Sequence, residues 1–280
     1  MIKKLTIAVT ALGLLVGAQM TAQAGPKEDM KNFRSYFTKK LPAGKTYSDF
    51  TSGMYIYNKD LYDGWQAIEE FPPYELDIEA GEKEYNKAFK NGKTYASCFK
   101  NGGKGIAQNY PYWNRKAKKV KTFEAELNEC RKKNGEKPLK WKKGKLAQLS
   151  AYLKDTARGK IINVVVPNDK GAIAAYNAGK QFYFARRGQL NFSCAHCHFD
   201  GAGKYIRANL LSAAPGQASV FPAYRSKWGG LGTMHRRYGG CNKNIRAKPF
   251  KAQKSEYTNL EYFHTFLSNG LELQAPSNRF

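Results

Sequence analysis

Cys194-Ala195-His196-Cys197-His198 sets two cysteines three apart with a histidine directly after the second. Covalent c-type haem attachment requires this pattern: each thiol adds across one vinyl group, and the adjoining imidazole falls beneath the iron. Zinc would need two further ligands at matching spacing, and a thioredoxin-like redox pair expects a βαβ setting. Cys194 and Cys197 are therefore read as the attachment residues, His198 as the proximal iron ligand and His196 as a solvent-facing spacer.

A second chemical centre is Met234-His235-Arg236-Arg237-Tyr238-Gly239-Gly240-Cys241. The arginines bring fixed positive charge and bidentate anion recognition, and the glycines let backbone approach a cofactor closely. Cys241 is a candidate for nucleophile, iron ligand or both. The competing readings are an intermolecular disulfide, or an inert buried cysteine with Met234 as distal ligand, the common choice in electron-carrying cytochromes c. Behind these stand His235 and His264, the latter read first as a packed core histidine.

The elements that must carry these residues follow from a repeat. Lys137-Pro138-Leu139-Lys140 follows Cys130 at the offsets at which Lys248-Pro249-Phe250-Lys251 follows Cys241, 111 residues later. The pairing continues through Leu146/Tyr257, Leu149/Leu260, Tyr152/Phe263 and Leu153/His264, spaced three and four apart as on one face of a closing helix. Gly81 and Tyr85 match Gly179 and Tyr183 on an opening helix upstream. Helix, cysteine site, long loop, cysteine, helix is the layout of a small c-type cytochrome domain. The expected fold is mainly α: two tandem cytochrome c-like domains, 76–160 and 161–280, after an aromatic N-terminal arm, 25–75, that packs its rings on a neighbouring domain or subunit.

The first copy carries Tyr95 where the second has Cys194, and Phe99 where it has His198, so it is expected to hold no haem and the chain one covalently bound haem c. Cys98 and Cys130 remain there. Residues 1–24 read as a cleaved secretory signal, with Lys3 and Lys4, an apolar run from Leu5 to Ala18, and a small-residue site ending at Ala24. No later segment approaches the ~20 apolar residues of a membrane span. Export to a periplasm permits disulfides, which makes a Cys98–Cys130 bridge the best reading, against two free thiols or a metal pair, and leaves Cys241 as the odd cysteine. Losing the leader removes two lysines and no acid, so the formal charge falls from +25 to +23. That surplus points to a small anion or an acidic protein as partner rather than nucleic acid.

Together, the signal, the two copies, Cys194-Ala-His-Cys-His198 and Arg236-Arg237-Tyr238-Gly239-Gly240-Cys241 resemble the SoxA family of sulfur-oxidation cytochromes over essentially the whole mature chain. The resemblance implies that His198 and Cys241 are the proximal and distal iron ligands, that Cys241 is often a persulfide, and that Arg237 helps bind the anion. Arg236, Lys243 and Arg246 would add to an anion funnel. It implies L-cysteine S-thiosulfotransferase activity: thiosulfate is joined oxidatively to a cysteine of a SoxYZ-like carrier, with electrons leaving through haem, in a heterodimer with a SoxX-like cytochrome. Tyr95 and Phe99 place the chain with the single-haem branch, in which a disulfide replaces the second haem. A plain periplasmic electron-transfer cytochrome and a thiosulfate-to-tetrathionate oxidoreductase are the alternatives.

Overall fold

The structure, a computed structural model, describes residues 25–279; the expected leader 1–24 lies outside the described residues. Eight α-helices are described: α1 Pro26–Thr38, α2 Lys59–Glu70, α3 Glu75–Asn86, α4 Phe123–Lys133, α5 Lys145–Asp155, α6 Lys170–Phe184, α7 Met234–Asn244 and α8 Ser255–Phe266. Strands are short; the largest sheet has three, Gly230–Gly232 antiparallel and Ser277–Asn278 parallel to the central Ala223–Arg225. The fold is mainly helical, as expected.

Two helix crossings organise the chain, α3 on α5 and α6 on α8. Leu146, Leu149, Tyr152 and Leu153 are all buried on α5, and Tyr257, Leu260, Phe263 and His264 are all buried on α8, so the three-and-four spacing marks a core face in each. The crossings close on glycine. A Cβ at Gly81 would lie 2.2 Å from the Gln148 carbonyl oxygen and 2.9 Å from Tyr152 Cβ, and one at Gly179 would lie 2.0 Å from the Asn259 carbonyl oxygen and 2.9 Å from Phe263 Cβ. Gln148 and Asn259, like Tyr152 and Phe263, stand 111 residues apart, so the same contact is built twice.

Local chemistry fixes where these helices begin. Thr122 caps α4 by accepting from Ala125 N, and acids in the first turn face basic residues in the last. Asp169 caps α6 by accepting from Gly171 N and Ala172 N. A disulfide joins Cys98, in the segment after α3, to Cys130 on α4, with 5.8 Å between Cα atoms. Around it, aromatic rings pack closely. Tyr95 is fully buried against Tyr85 and Phe89 and bonded to Arg131 Nη1 at 3.0 Å, while Phe99 packs on Phe123.

The N-terminal segment folds onto the second half of the chain. Phe33 contacts Phe184, Phe199 and Phe263; Phe37 packs on Phe199; Asp29 accepts from Tyr176 and pairs with Lys180. Lys40 donates to the Phe199 carbonyl at 2.7 Å. Phe199 directly follows His198, so the arm's rings buttress the turn that carries the attachment motif.

Candidate haem and anion site

The attachment motif occupies the loop after α6 and ends in one π-type turn, His196–Asp200. His196 Nδ1 lies 2.7 Å from Ser193 Oγ and its ring packs beside Phe192, which locks the spacer into its own turn. His198 turns inward. Its Nδ1 donates to the Ser212 carbonyl at 2.9 Å, which fixes the tautomer and leaves Nε2 as the lone-pair nitrogen. Burial, opposed by that bond and aided by the Arg237 charge, pushes its pKa down to about 4. The ring is therefore neutral at physiological pH, the form that binds a metal.

Cys241 sits in the last turn of α7, one turn after Arg237. One face of α7 is pinned to its surroundings: Asn242 donates to Tyr257 Oη at 2.8 Å, Tyr238 Oη lies 3.0 Å from His264 Nδ1, and His235 Nε2 lies 2.9 Å from Glu261. At 100° per residue, Arg237, Gly240 and Cys241 fall on the other side. There Cys241 comes within electrostatic reach of Cys194 and Cys197, and Arg237 within reach of Cys197 and His198. Burial, with Cys241 nearby, pushes the Cys194 thiol up to about 12. Cys194, Cys197, His198, Arg237 and Cys241, 47 residues apart at the extremes, thus converge on one site.

Of the other sequence candidates, His264 lies behind His198, against Tyr183, and the rest are engaged elsewhere. Met234 is buried among Tyr110, Lys154, Phe221 and Glu261, toward the first half of the chain. His235 accepts from Gln253 N at 3.0 Å and faces Glu261. His264 is a buried, hydrogen-bonded histidine of α8. Arg236 stacks on Trp228, its guanidinium carbon 4.3 Å from the ring centroid, and donates to the Leu231 carbonyl. Lys243 and Arg246 are exposed.

The site contains groups that the sequence reading missed. Arg225 is coupled to Arg237 and Cys241, stacks near Trp228 and keeps a buried Nε without a hydrogen-bond partner; burial and the Arg237 charge bring its pKa down to about 10. Arg187 lies near Cys194, its guanidinium 3.5 Å above Phe182, again with an unpartnered buried Nε. Tyr183 presents a buried, unpartnered hydroxyl among Cys194, Cys197 and Cys241. Arg187 had a signal, as a basic pair seven residues before the motif; Arg225 had none. Among the described residues no carboxylate pairs with Arg187, Arg225 or Arg237.

These orphaned atoms test whether a haem fits. A Cβ on Gly240 would meet nothing within 4 Å. Cys194, Cys197 and Cys241 are all free thiols. Unpaired guanidiniums suit the propionates of a haem, and a neutral imidazole with its outer nitrogen already bonded suits iron. No cluster of three His, Cys, Asp or Glu side chains shaped for a bare metal ion exists among the described residues, which disfavours the zinc reading of the cysteine pair. The donor set fits haem.

Comparison with known proteins supplies the family. The model of the SoxA/TsdA cytochrome c domain matches residues 80–162. L-cysteine S-thiosulfotransferase subunit SoxA of Chlorobaculum tepidum is 48% identical over 262 residues, covering 94% of this chain and 91% of that protein. The chain belongs to the SoxA family. The corresponding subunit of Allochromatium vinosum is also 48% identical, with 91% of each chain covered. The crystal structure of SoxXA from P. pantotrophus superposes with a TM-score of 0.71 at 30% identity, over 78% of this chain and 84% of that one. The matched residues precede the attachment motif; as a SoxA bearing Cys194-Ala195-His196-Cys197-His198, the chain carries covalently bound haem c.

Proposed function

We propose that Cys241 is the sulfur on which this SoxA joins thiosulfate to a carrier cysteine, acting as an L-cysteine S-thiosulfotransferase. The observation that carries the reading is the free Cys241 one helical turn from Arg237, an arginine without a carboxylate partner, beside the cysteines and histidine of the attachment motif. Its relatives' activity supports it. Cys194 and Cys197 would attach one haem c, and His198 and Cys241 would bind its iron. When bound, that haem supplies the sink through which electrons leave.

The protein's own groups do the rest. Arg237, with Arg225 behind it, attracts the thiosulfate dianion and turns its sulfonate toward the guanidinium, which leaves the outer sulfur facing Cys241. A sulfur–sulfur bond forms between the Cys241 thiolate and that outer sulfur as two electrons leave. The carrier's thiolate then attacks the outer sulfur, the bond to Cys241 breaks, and Cys241 regains its electron pair. Net, thiosulfate and a carrier thiol give a carrier S-thiosulfonate, one proton and two electrons. Splitting one hard bond formation into two transfers is what a covalent nucleophile contributes.

The remaining assignments belong to the same reading: export to the periplasm with cleavage near Ala24, domains at 76–160 and 161–280, a SoxX-like partner subunit and a SoxYZ-like carrier. Turnover of thiosulfate with the carrier, measured for Cys241→Ala, tests it. Activity should vanish while Cys194, Cys197 and His198 still hold haem. A plain electron carrier would keep its electron transfer in that variant and show no sulfur transfer in the parent.

A further inference from the structure

Behind His198 runs a line of polar side chains that the transfer chemistry does not use. The Gln217 amide lies 2.7 Å from His198 Nδ1 and 2.9 Å from His264 Nε2, and His264 Nδ1 lies 3.0 Å from Tyr238 Oη. Ser212 contributes its carbonyl, 2.9 Å from Nδ1, and its hydroxyl, 2.7 Å from the amide. His264 and Tyr238 are buried. Tyr238 belongs to α7, the helix of Arg237 and Cys241.

The donors and acceptors of this line have only one consistent polarity. Nδ1–H donates to Ser212, so an amide nitrogen pointed at Nδ1 would set donor against donor. The reverse amide orientation keeps every heavy-atom position and pairs them all. His198 Nδ1–H and Ser212 Oγ–H then donate to the amide oxygen, the amide nitrogen donates to His264 Nε2, and His264 Nδ1–H donates to Tyr238 Oη. The haem-less copy has no such line. At the positions 111 residues earlier, Tyr238 and His264 are Leu127 and Leu153, both fully buried. At these two positions the first copy is apolar and the second polar.

We propose that Gln217, His264 and Tyr238 are positioning residues that tune His198 as a ligand and tie its side of the site to the helix bearing Cys241. This rests on His198 being the proximal ligand. Each acceptor on Nδ1–H makes the imidazole a stronger electron donor, which favours ferric iron and lowers the reduction potential. Bonds further along strengthen the first by polarising it.

The test is spectroelectrochemical titration of the purified holoprotein with haem content measured alongside. Gln217→Leu, which removes the second acceptor, should raise the potential; Gln217→Glu, which strengthens it, should lower it. Tyr238→Phe should move the potential upward by less than Gln217→Leu, and serves where Gln217→Leu loads haem poorly. A merely structural role would lower stability or loading in all three without opposite shifts. His198→Ala separates the two claims. If its ferric spectrum equals the parent's, the ligand reading falls and this line with it. If that spectrum changes while the three potentials match the parent's, the positioning role alone is overturned.

Discussion

At the residue scale, the proposed chemistry depends on charge placed beside sulfur. Arg237→Ala leaves the Cys241 thiolate but loses its neighbouring guanidinium. Arg237 is half-buried, so loss of its charged contact should cost roughly 1.5 to 3 kcal/mol in kcat/KM for thiosulfate, with haem content unchanged. Steady-state kinetics across thiosulfate concentrations would show it, and parent-like kinetics would remove Arg237 from the anion site. His264 gives a pH signature. Burial, with His198 nearby, pushes its pKa down to about 3 from an ordinary 6.5. Below 6.5 the unfolded chain takes a proton at this ring that the folded chain refuses, so its contribution to stability is present above 6.5 and lost as pH falls toward 3. The stability advantage of the parent over His264→Leu should therefore shrink by up to roughly 1.4 kcal/mol per unit between pH 6 and pH 4. Urea unfolding of both proteins at several pH values measures this, and a constant gap would contradict a neutral buried His264.

At the element scale, the repeat of helix pairs was legible because its signals are local. Apolar residues at three-and-four spacing declared α5 and α8, and Gly81 and Gly179 marked the crossings. Gly179→Ala would drive a methyl into the Asn259 carbonyl, and the crossing must open to admit it. The loss should be about 1 to 3 kcal/mol of stability, as overpacking costs. Calorimetry of this variant against Gly64→Ala, where a Cβ meets nothing, checks the effect. The Cys98–Cys130 bridge was legible from cysteine arithmetic; replacing both with serine should cost about 3 to 4 kcal/mol by freeing the unfolded chain. Gln217 and Arg225 could not be read from the sequence. They sit in a long loop without periodicity, and only tertiary packing brings the strand Ala223–Arg225 and the Ser212–Gln217 turn to the motif. Arg236 misled for a related reason: its sequence neighbour Arg237 shares its charge, but a 100° step turns it onto Trp228 instead.

At the scale of the whole molecule, the same helix crossing, α3 on α5 and α6 on α8, is set in two different surroundings. The first packs Tyr85, Phe89, Tyr95 and Phe99 around a disulfide, while the second brings Cys194, Cys197, His198 and Cys241 together beside arginines without carboxylate partners. The N-terminal arm clamps the second half by its rings. The large positive charge spread over both should speed encounter with an acidic carrier. Screening shortens that field's reach to ~10 Å at 0.1 M salt, so association should slow as ionic strength rises, and flat rates would show that the charge steers nothing. The central claim is that one sulfur, Cys241, accepts thiosulfate in a chain bearing one haem. Its most direct measurement is the intact mass of purified mature protein before and after thiosulfate and an electron acceptor, with peptide mapping. The account predicts the mass of one haem throughout and a thiosulfate-derived addition confined to the peptide containing Cys241. Two haems per chain, or an addition mapped to another residue, would contradict it.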